Sequence, residues 1–187
     1  MEYRINTPLN DEVVHKLKAS DKVYITGYIY TGRDAAHKKM IETLEAGEKL
    51  PFDIADQVLY YVGTCPAKPG FAVGSAGPTT SGRMDKFTPT LLDIGLAGMI
   101  GKGQRSQSVI DSMKKNNAVY FGAIGGAAVL ISQCIKSEEV IAYPELGTEA
   151  IKKLYVEDMP VIVLIDKDGN NLYDTEWMKY ENKYNVE

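Results

Sequence analysis

The feature that most limits the fold is an alternation along the chain. Short β-prone runs, each closed by a glycine or a polar turn, take turns with stretches of helical spacing. Residues 22–30, 57–62, 97–100, 118–122, 140–143 and 161–165 read as strands, and 71–73 as a further one that runs straight into a glycine-rich stretch. Between them, 35–46 carries His37, Met40, Ile41 and Leu44 at helical spacing and stops at Gly47. Residues 87–96, 106–116 and 126–135 also read as helices, with a short one near 148–154. A polar extended opening leads to Asn10, placed to cap a brief helix. Asp168-Gly169-Asn170 marks a turn, and the polar, aromatic-rich stretch from about 171 onward reads as a peripheral tail. Alternating strands and helices predict an α/β fold, with strand order left open.

At 187 residues and 44% hydrophobic content the chain is expected to build one core, a single domain spanning 1–187. Its net charge of -4 disfavours binding to a phosphate backbone, so nucleic acid is not an expected partner. Two cysteines, Cys65 and Cys134, make neither a disulfide framework nor a metal-binding pair. The polar opening Met1-Glu2-Tyr3-Arg4-Ile5-Asn6 has no apolar stretch of a secretory leader, so a cytoplasmic location is expected. One uncharged run, 116–135, is long enough to weigh as a membrane span. Gly125-Gly126 interrupts it, and its halves differ in character, so it reads as a buried strand, a glycine turn and a buried helix.

Three glycine-flanked cations follow predicted strands: Arg33 in Thr31-Gly32-Arg33-Asp34, Arg83 in Thr79-Thr80-Ser81-Gly82-Arg83, and Lys102 in Gly101-Lys102-Gly103. Open α/β sheets hold ligands beyond their strand ends. Glycine lets backbone N–H groups approach an anion, and the arginine fork matches a carboxylate. Each cation alone is better explained as a solvated residue in an ordinary turn; the three together suit a dianion. The stretch Gly74 to Arg83 lacks the spacing of a nucleotide-binding loop, and its threonine hydroxyls need a partner or a stabilised alkoxide before they can act as bases. His37, four residues after Arg33, reads as structural or supporting the anion site, and His15 as solvated.

The run Gly74-Ser75-Ala76-Gly77-Pro78-Thr79-Thr80-Ser81-Gly82-Arg83-Met84-Asp85 resembles the signature of the β region of class I fumarases and L-tartrate dehydratases. Gly32-Arg33-Asp34-Ala35-Ala36-His37, Gly101-Lys102-Gly103 and Val156-Glu157-Asp158-Met159-Pro160 follow the family's order. The resemblance covers roughly residues 5 to 175. It implies a swivelling β/β/α domain with a mixed sheet, and an iron–sulfur hydro-lyase acting on malate and fumarate or on tartrate. It implies a separate α subunit that carries the [4Fe–4S] cluster, since this chain has too few cysteines. It also implies that Arg33, Arg83 and Lys102 bind substrate carboxylates, that Thr80 lies against the substrate, and that Thr79 is the base.

The leading expectation is therefore the β subunit of a two-chain class I fumarate hydratase, inactive alone. An L-tartrate dehydratase β subunit is the nearest alternative, and no residue decides between them. A non-catalytic dicarboxylate-binding module is a third reading. Expected partners are the α subunit and a small dicarboxylate, with a second copy of the chain also admitted.

Overall fold

The computed structural model describes residues 1–123 and 128–175. In chain order the elements are β1 (Glu2–Asn6), α1 (Asp11–Lys16), β2 (Lys22–Thr31), α2 (Asp34–Glu45), β3 (Val58–Tyr60), a 3-10 turn (Ser81–Met84), α3 (Thr88–Asp93) and β4 (Gly98–Gly101). There follow α4 (Gln107–Asn116), β5 (Val119–Gly122), α5 (Ala128–Cys134), β6 (Ile135–Ala142), a second 3-10 turn (Pro144–Glu149), β7 (Ile151–Ile165) and α6 (Leu172–Thr175).

The strands form one mixed sheet in the order β1-β2-β3-β4-β5-β7-β6, and β2 also pairs with β7. Strands β1 to β5 are mutually parallel, whereas β7 runs antiparallel to β2, β5 and β6. The pairing of β2 with β7 closes the sheet into a barrel-like ring. The alternation of side chains along a strand then divides the core into two. Val58, Tyr60, Ile100, Val119, Phe121, Leu154 and Val163 turn into the ring with Ile5, Leu9 and Val14. Leu59, Tyr61, Met99 and Tyr120 turn outward onto Met40, Leu91, Leu92, Val109 and Met113 of the helices. Because β3, β4 and β5 are buried on both faces, they read in the sequence as unbroken apolar runs.

Local chemistry sets several element ends. Asn10 caps α1, its side chain accepting from the Val13 amide at 2.9 Å. Helix α4 ends at Asn117 in a left-handed conformation, φ 51°. At Gly27, φ +125°, a Cβ would lie 2.4 Å from Thr7 Oγ1, so the irregularity in β2 needs glycine.

Four sequence expectations change. Residues 71–73 form no strand: the Gly74 and Cys65 amides bond across the loop, at 2.9 Å to the Cys65 carbonyl and 3.0 Å to the Ser75 carbonyl, and Phe71 stays 52% exposed. The helix expected near 148–154 is the second 3-10 turn followed by β7, because β2 and β6 both claim the backbone of that segment. Helix α3 stops at Asp93, where Gly95 turns with φ +102°. The helix expected over 126–135 is described from Ala128 to Cys134, and Ile135 opens a strand. The Gly125-Gly126 turn and the tail beyond residue 175 lie outside the described residues. Among those residues no helix is long and apolar enough to cross a membrane.

Candidate active site

Parallel strands end on one side of a sheet, so Thr31, Tyr60 and Gly101 bring the segments after β2, β3 and β4 together. The Gly32 amide donates to the Tyr60 carbonyl at 3.1 Å and the Tyr61 amide to the Ile100 carbonyl at 2.8 Å, extending the ladder past the strands. Into this extension the chain inserts residues 79–81. The Thr79 amide donates to the Tyr61 carbonyl at 2.7 Å, the Lys102 amide to the Thr79 carbonyl at 3.3 Å, and the Ser81 amide to the Lys102 carbonyl at 2.9 Å. Thr80 thus pairs with Lys102 in parallel register. The Tyr60 hydroxyl, inside the ring, donates to the Ala76 carbonyl at 2.6 Å and fixes the loop that leads there.

This arrangement revises the part assigned to the glycines. The Gly32 amide is consumed by the ladder, and the Gly103 amide donates to the Tyr173 hydroxyl at 3.1 Å. Gly101 is required by packing: a Cβ there would stand 2.0 Å from Ser81 Oγ and 3.0 Å from the Tyr61 ring. The Gly32 and Gly103 amides are therefore not free to meet an anion, and at those two positions the cationic side chains are left to do so.

Arg33 and Arg83 line one open cleft of about 520 Å³, with Lys38, Lys86, Phe87 and Glu149 among its walls. Arg33 sits between β2 and α2, and Arg83 on the first 3-10 turn, directly after the inserted segment. Thr79 and Thr80 lie on that segment and Lys102, exposed, on the rung paired with Thr80; none of the three lines the cleft itself. The five residues expected to act together therefore fall on three adjacent connections. Arg33 and Arg83 share the cleft wall, while Thr79, Thr80 and Lys102 form a neighbouring strip.

Beneath Arg33 lies His37, fully buried. Its Nδ1 donates to the Arg33 carbonyl at 2.9 Å, which leaves the lone pair on Nε2. Burial, reinforced by the nearby charge of Arg105, pushes its pKa down to about 4, so the imidazole is neutral at pH 7. Its ring meets Tyr61 edge-on, with centroids 5.3 Å apart. Arg33 Nε, His37 Nε2 and the Tyr61 hydroxyl are buried side-chain polar atoms without a hydrogen-bond partner among the described residues. All three belong to this corner of the molecule.

Two features of the corner were missed by sequence reasoning. Glu149, from the far end of the second 3-10 turn, pairs with Arg33 at 3.2 Å. A buried Lys152 donates to Thr64 Oγ1 at 2.7 Å and to Glu138 Oε1 at 2.9 Å, tying the segment after β3 to the β6–β7 hairpin. Neither acid has a local signal, since each meets its cation across the fold.

Comparison with known proteins places this geometry. A family model described as Fumarase C-terminus matches residues 1–176. The chain belongs to the fumarase C-terminus family. Among its relatives, Fumarate hydratase class I, anaerobic, of Escherichia coli is 44% identical over 174 residues, 90% of this chain and 32% of that protein. Fumarate hydratase 2 of Leishmania major is 40% identical over 154 residues, 81% of this chain and 27% of that protein. A protein of Methanocaldococcus jannaschii provisionally named L(+)-tartrate dehydratase subunit beta is 37% identical over 191 residues, 99% of this chain and 97% of that protein. The chain thus spans about a third of the length of the fumarate hydratases it matches, and nearly all of the tartrate dehydratase subunit. The mixed sheet flanked by helices agrees with the fold expected of the fumarase C-terminus family.

Proposed function

We propose that this chain is the β subunit of a two-chain class I fumarate hydratase, which hydrates fumarate reversibly to L-malate at a site completed by an α subunit. The observation that carries this reading is the cleft shared by Arg33 and Arg83, two forks suited to carboxylates, with Arg83 on the turn that directly follows the inserted threonines. The full-length likeness to a subunit named beta, beside partial likeness to longer fumarate hydratases, supports the split into two chains. The same full-length likeness favours a second reading, an L-tartrate dehydratase β subunit, which needs the same groups and a substrate with one more hydroxyl.

The [4Fe–4S] cluster that the family resemblance implies finds no ligand set in this chain. It has two cysteines, Cys65 exposed and Cys134 half-buried, and no group of three or more His, Cys, Asp or Glu converges among the described residues. The cluster is therefore assigned to the α subunit. Exposed Phe71, Val129 and Leu130, around the loop leading to Thr79, give that subunit an apolar face to cover.

In this reading Arg33 binds and orients one end of the dicarboxylate. Thr79 removes the proton next to the other carboxylate, and Thr80 packs against the carbon skeleton. Proton removal builds negative charge into that carboxylate, and Arg83 with Lys102 stabilises it more in the transition state than in the ground state. A threonine hydroxyl is too weak an acid to serve as base unaided, so a carboxylate of the α subunit takes the Thr79 hydroxyl proton, and the substrate hydroxide leaves on the α-subunit side, where the cluster would supply a Lewis acid for it.

The test is anaerobic malate dehydration, followed as fumarate absorbance, with this chain alone and with its co-expressed α subunit, and with tartrate in parallel. Turnover only in the complex supports the split enzyme, and the substrate ratio chooses between the two names; turnover by the lone chain contradicts it. Thr79→Val in the complex is expected to abolish turnover while dicarboxylate binding persists, and retained activity would remove Thr79 from the mechanism.

A further inference from the structure

We propose that Glu149 is a positioning residue that fixes the Arg33 guanidinium for a substrate carboxylate, an inference that rests on the hydro-lyase reading above. The two oxygens of Glu149 hold two different parts of one connection. Oε1 lies 3.2 Å from Arg33 Nη2, and Oε2 accepts from the Ala35 amide at 3.2 Å. Helix α2 receives no side-chain cap from its own N-cap residue, which is Arg33. The Ala35 amide is one of the donors that a helix start leaves without an internal partner, and Glu149 supplies the missing acceptor from the far side of the fold. One carboxylate thus grips the helix start and the side chain of the residue that precedes it.

Glu149 is itself anchored. Next to it, the buried Thr31 hydroxyl donates to the Ala150 carbonyl at 3.1 Å and accepts from the Lys152 amide at 2.9 Å. These bonds lock residues 150–152 against the end of β2, so the carboxylate meets Arg33 in one place. The rest of the guanidinium is confined too: a Cβ on Gly63 would lie 3.1 Å from Arg33 Nη1, and Nε is buried. Both partners of the ion pair are 25% exposed, so its direct effect on stability is small. Its consequence is conformational. A long side chain that is already held loses less freedom when a carboxylate arrives.

The kinetic signature follows from where charge develops. In the proposed reaction the new negative charge falls on the carboxylate at Arg83 and Lys102, not on the end held by Arg33. An interaction equal in ground and transition states sets KM and leaves kcat unchanged. Glu149→Gln in the chain–α-subunit complex is therefore expected to raise KM for malate by about tenfold with kcat within about twofold. Glu149→Asp, which keeps the charge, is expected to recover part of that loss. A merely structural role would lower the melting temperature without separating KM from kcat.

A second arm needs no turnover: rotation about the Arg33 Cζ–Nε bond, followed by NMR of the lone chain, with the resonance assigned by its loss in Arg33→Lys. Slow rotation in the wild type and faster rotation in Glu149→Gln support the inference. Equal rotation rates, or an unchanged KM in Glu149→Gln, overturn it. A wild-type complex inactive on malate, fumarate and tartrate overturns the hydro-lyase reading instead, and the rotation rates then decide the role of Glu149 by themselves.

Discussion

Arg105 and Arg33 are the same side chain put to opposite uses a short distance apart. Arg105 is wholly buried: Nε donates to Asp85 at 2.7 Å, Nη2 to Thr88 at 2.8 Å and Nη1 to the Met99 sulfur at 3.4 Å, while its plane lies over the rings of Tyr61 and Tyr120. Asp85 also accepts from the Ser106 amide at 2.6 Å, so that carboxylate is engaged on both oxygens. Arg33 opens on a cleft and engages a single carboxylate through one Nη, at 3.2 Å. A saturated cation welds elements together; an unsaturated one in a cleft is available to a ligand. The difference separates structure from function here better than residue type does.

The comparison breaks most easily at Arg105. Arg105→Ala strands the Asp85 carboxylate and is expected to lower stability by about 3–5 kcal/mol. By contrast, Arg33→Ala is expected to cost no more than about 1 kcal/mol, because its ion pair is partly solvated. Chemical denaturation of both variants checks this, and equal losses would erase the distinction. In activity the order reverses. Arg83→Ala in the complex is expected to cost more than about 3 kcal/mol in kcat/KM, since it leaves an enclosed carboxylate unpaired. Near-normal kcat/KM there would remove Arg83 from the site.

A prediction of similar or smaller size sharpens the role of the neutral histidine beneath Arg33. The unfolded chain takes up the His37 proton near pH 6.5, whereas the folded chain resists it until about pH 4. Over that window the folded state holds fewer protons, so stability falls as pH drops from 6.5 to 4, by up to about 3 kcal/mol. Denaturant titrations of wild type and His37→Gln across the window should differ in slope, the variant being flatter; parallel slopes would mean that His37 titrates in the folded state as it does in water.

The fold was largely legible because β3, β4 and β5 are covered on both faces and so appear as apolar runs. It was not legible at residues 148–154. Leu154 and Ile151 there have helical spacing, yet β2 and β6 hold that backbone as a strand from either side. Arg33, Arg83 and Lys102 could be found because glycines flank cations just after strands. Their grouping into a cleft and a strip depends on the insertion of residues 79–81 between two strand ends, a long-range event with no local signature. Glu149 was invisible for the same reason: nothing in Gly147-Thr148-Glu149-Ala150 announces an arginine that lies far back along the chain.

The most direct test of an open dianion site is calorimetric titration of the assembled complex with succinate, a dicarboxylate that can be neither hydrated nor dehydrated. Binding to the wild type, weakened at least tenfold in both Arg33→Ala and Arg83→Ala and kept in Thr79→Val, is the result expected when two carboxylates each meet an arginine. Undiminished binding in both arginine variants would contradict the account, because the unsaturated cations of the cleft would then have no ligand to explain them.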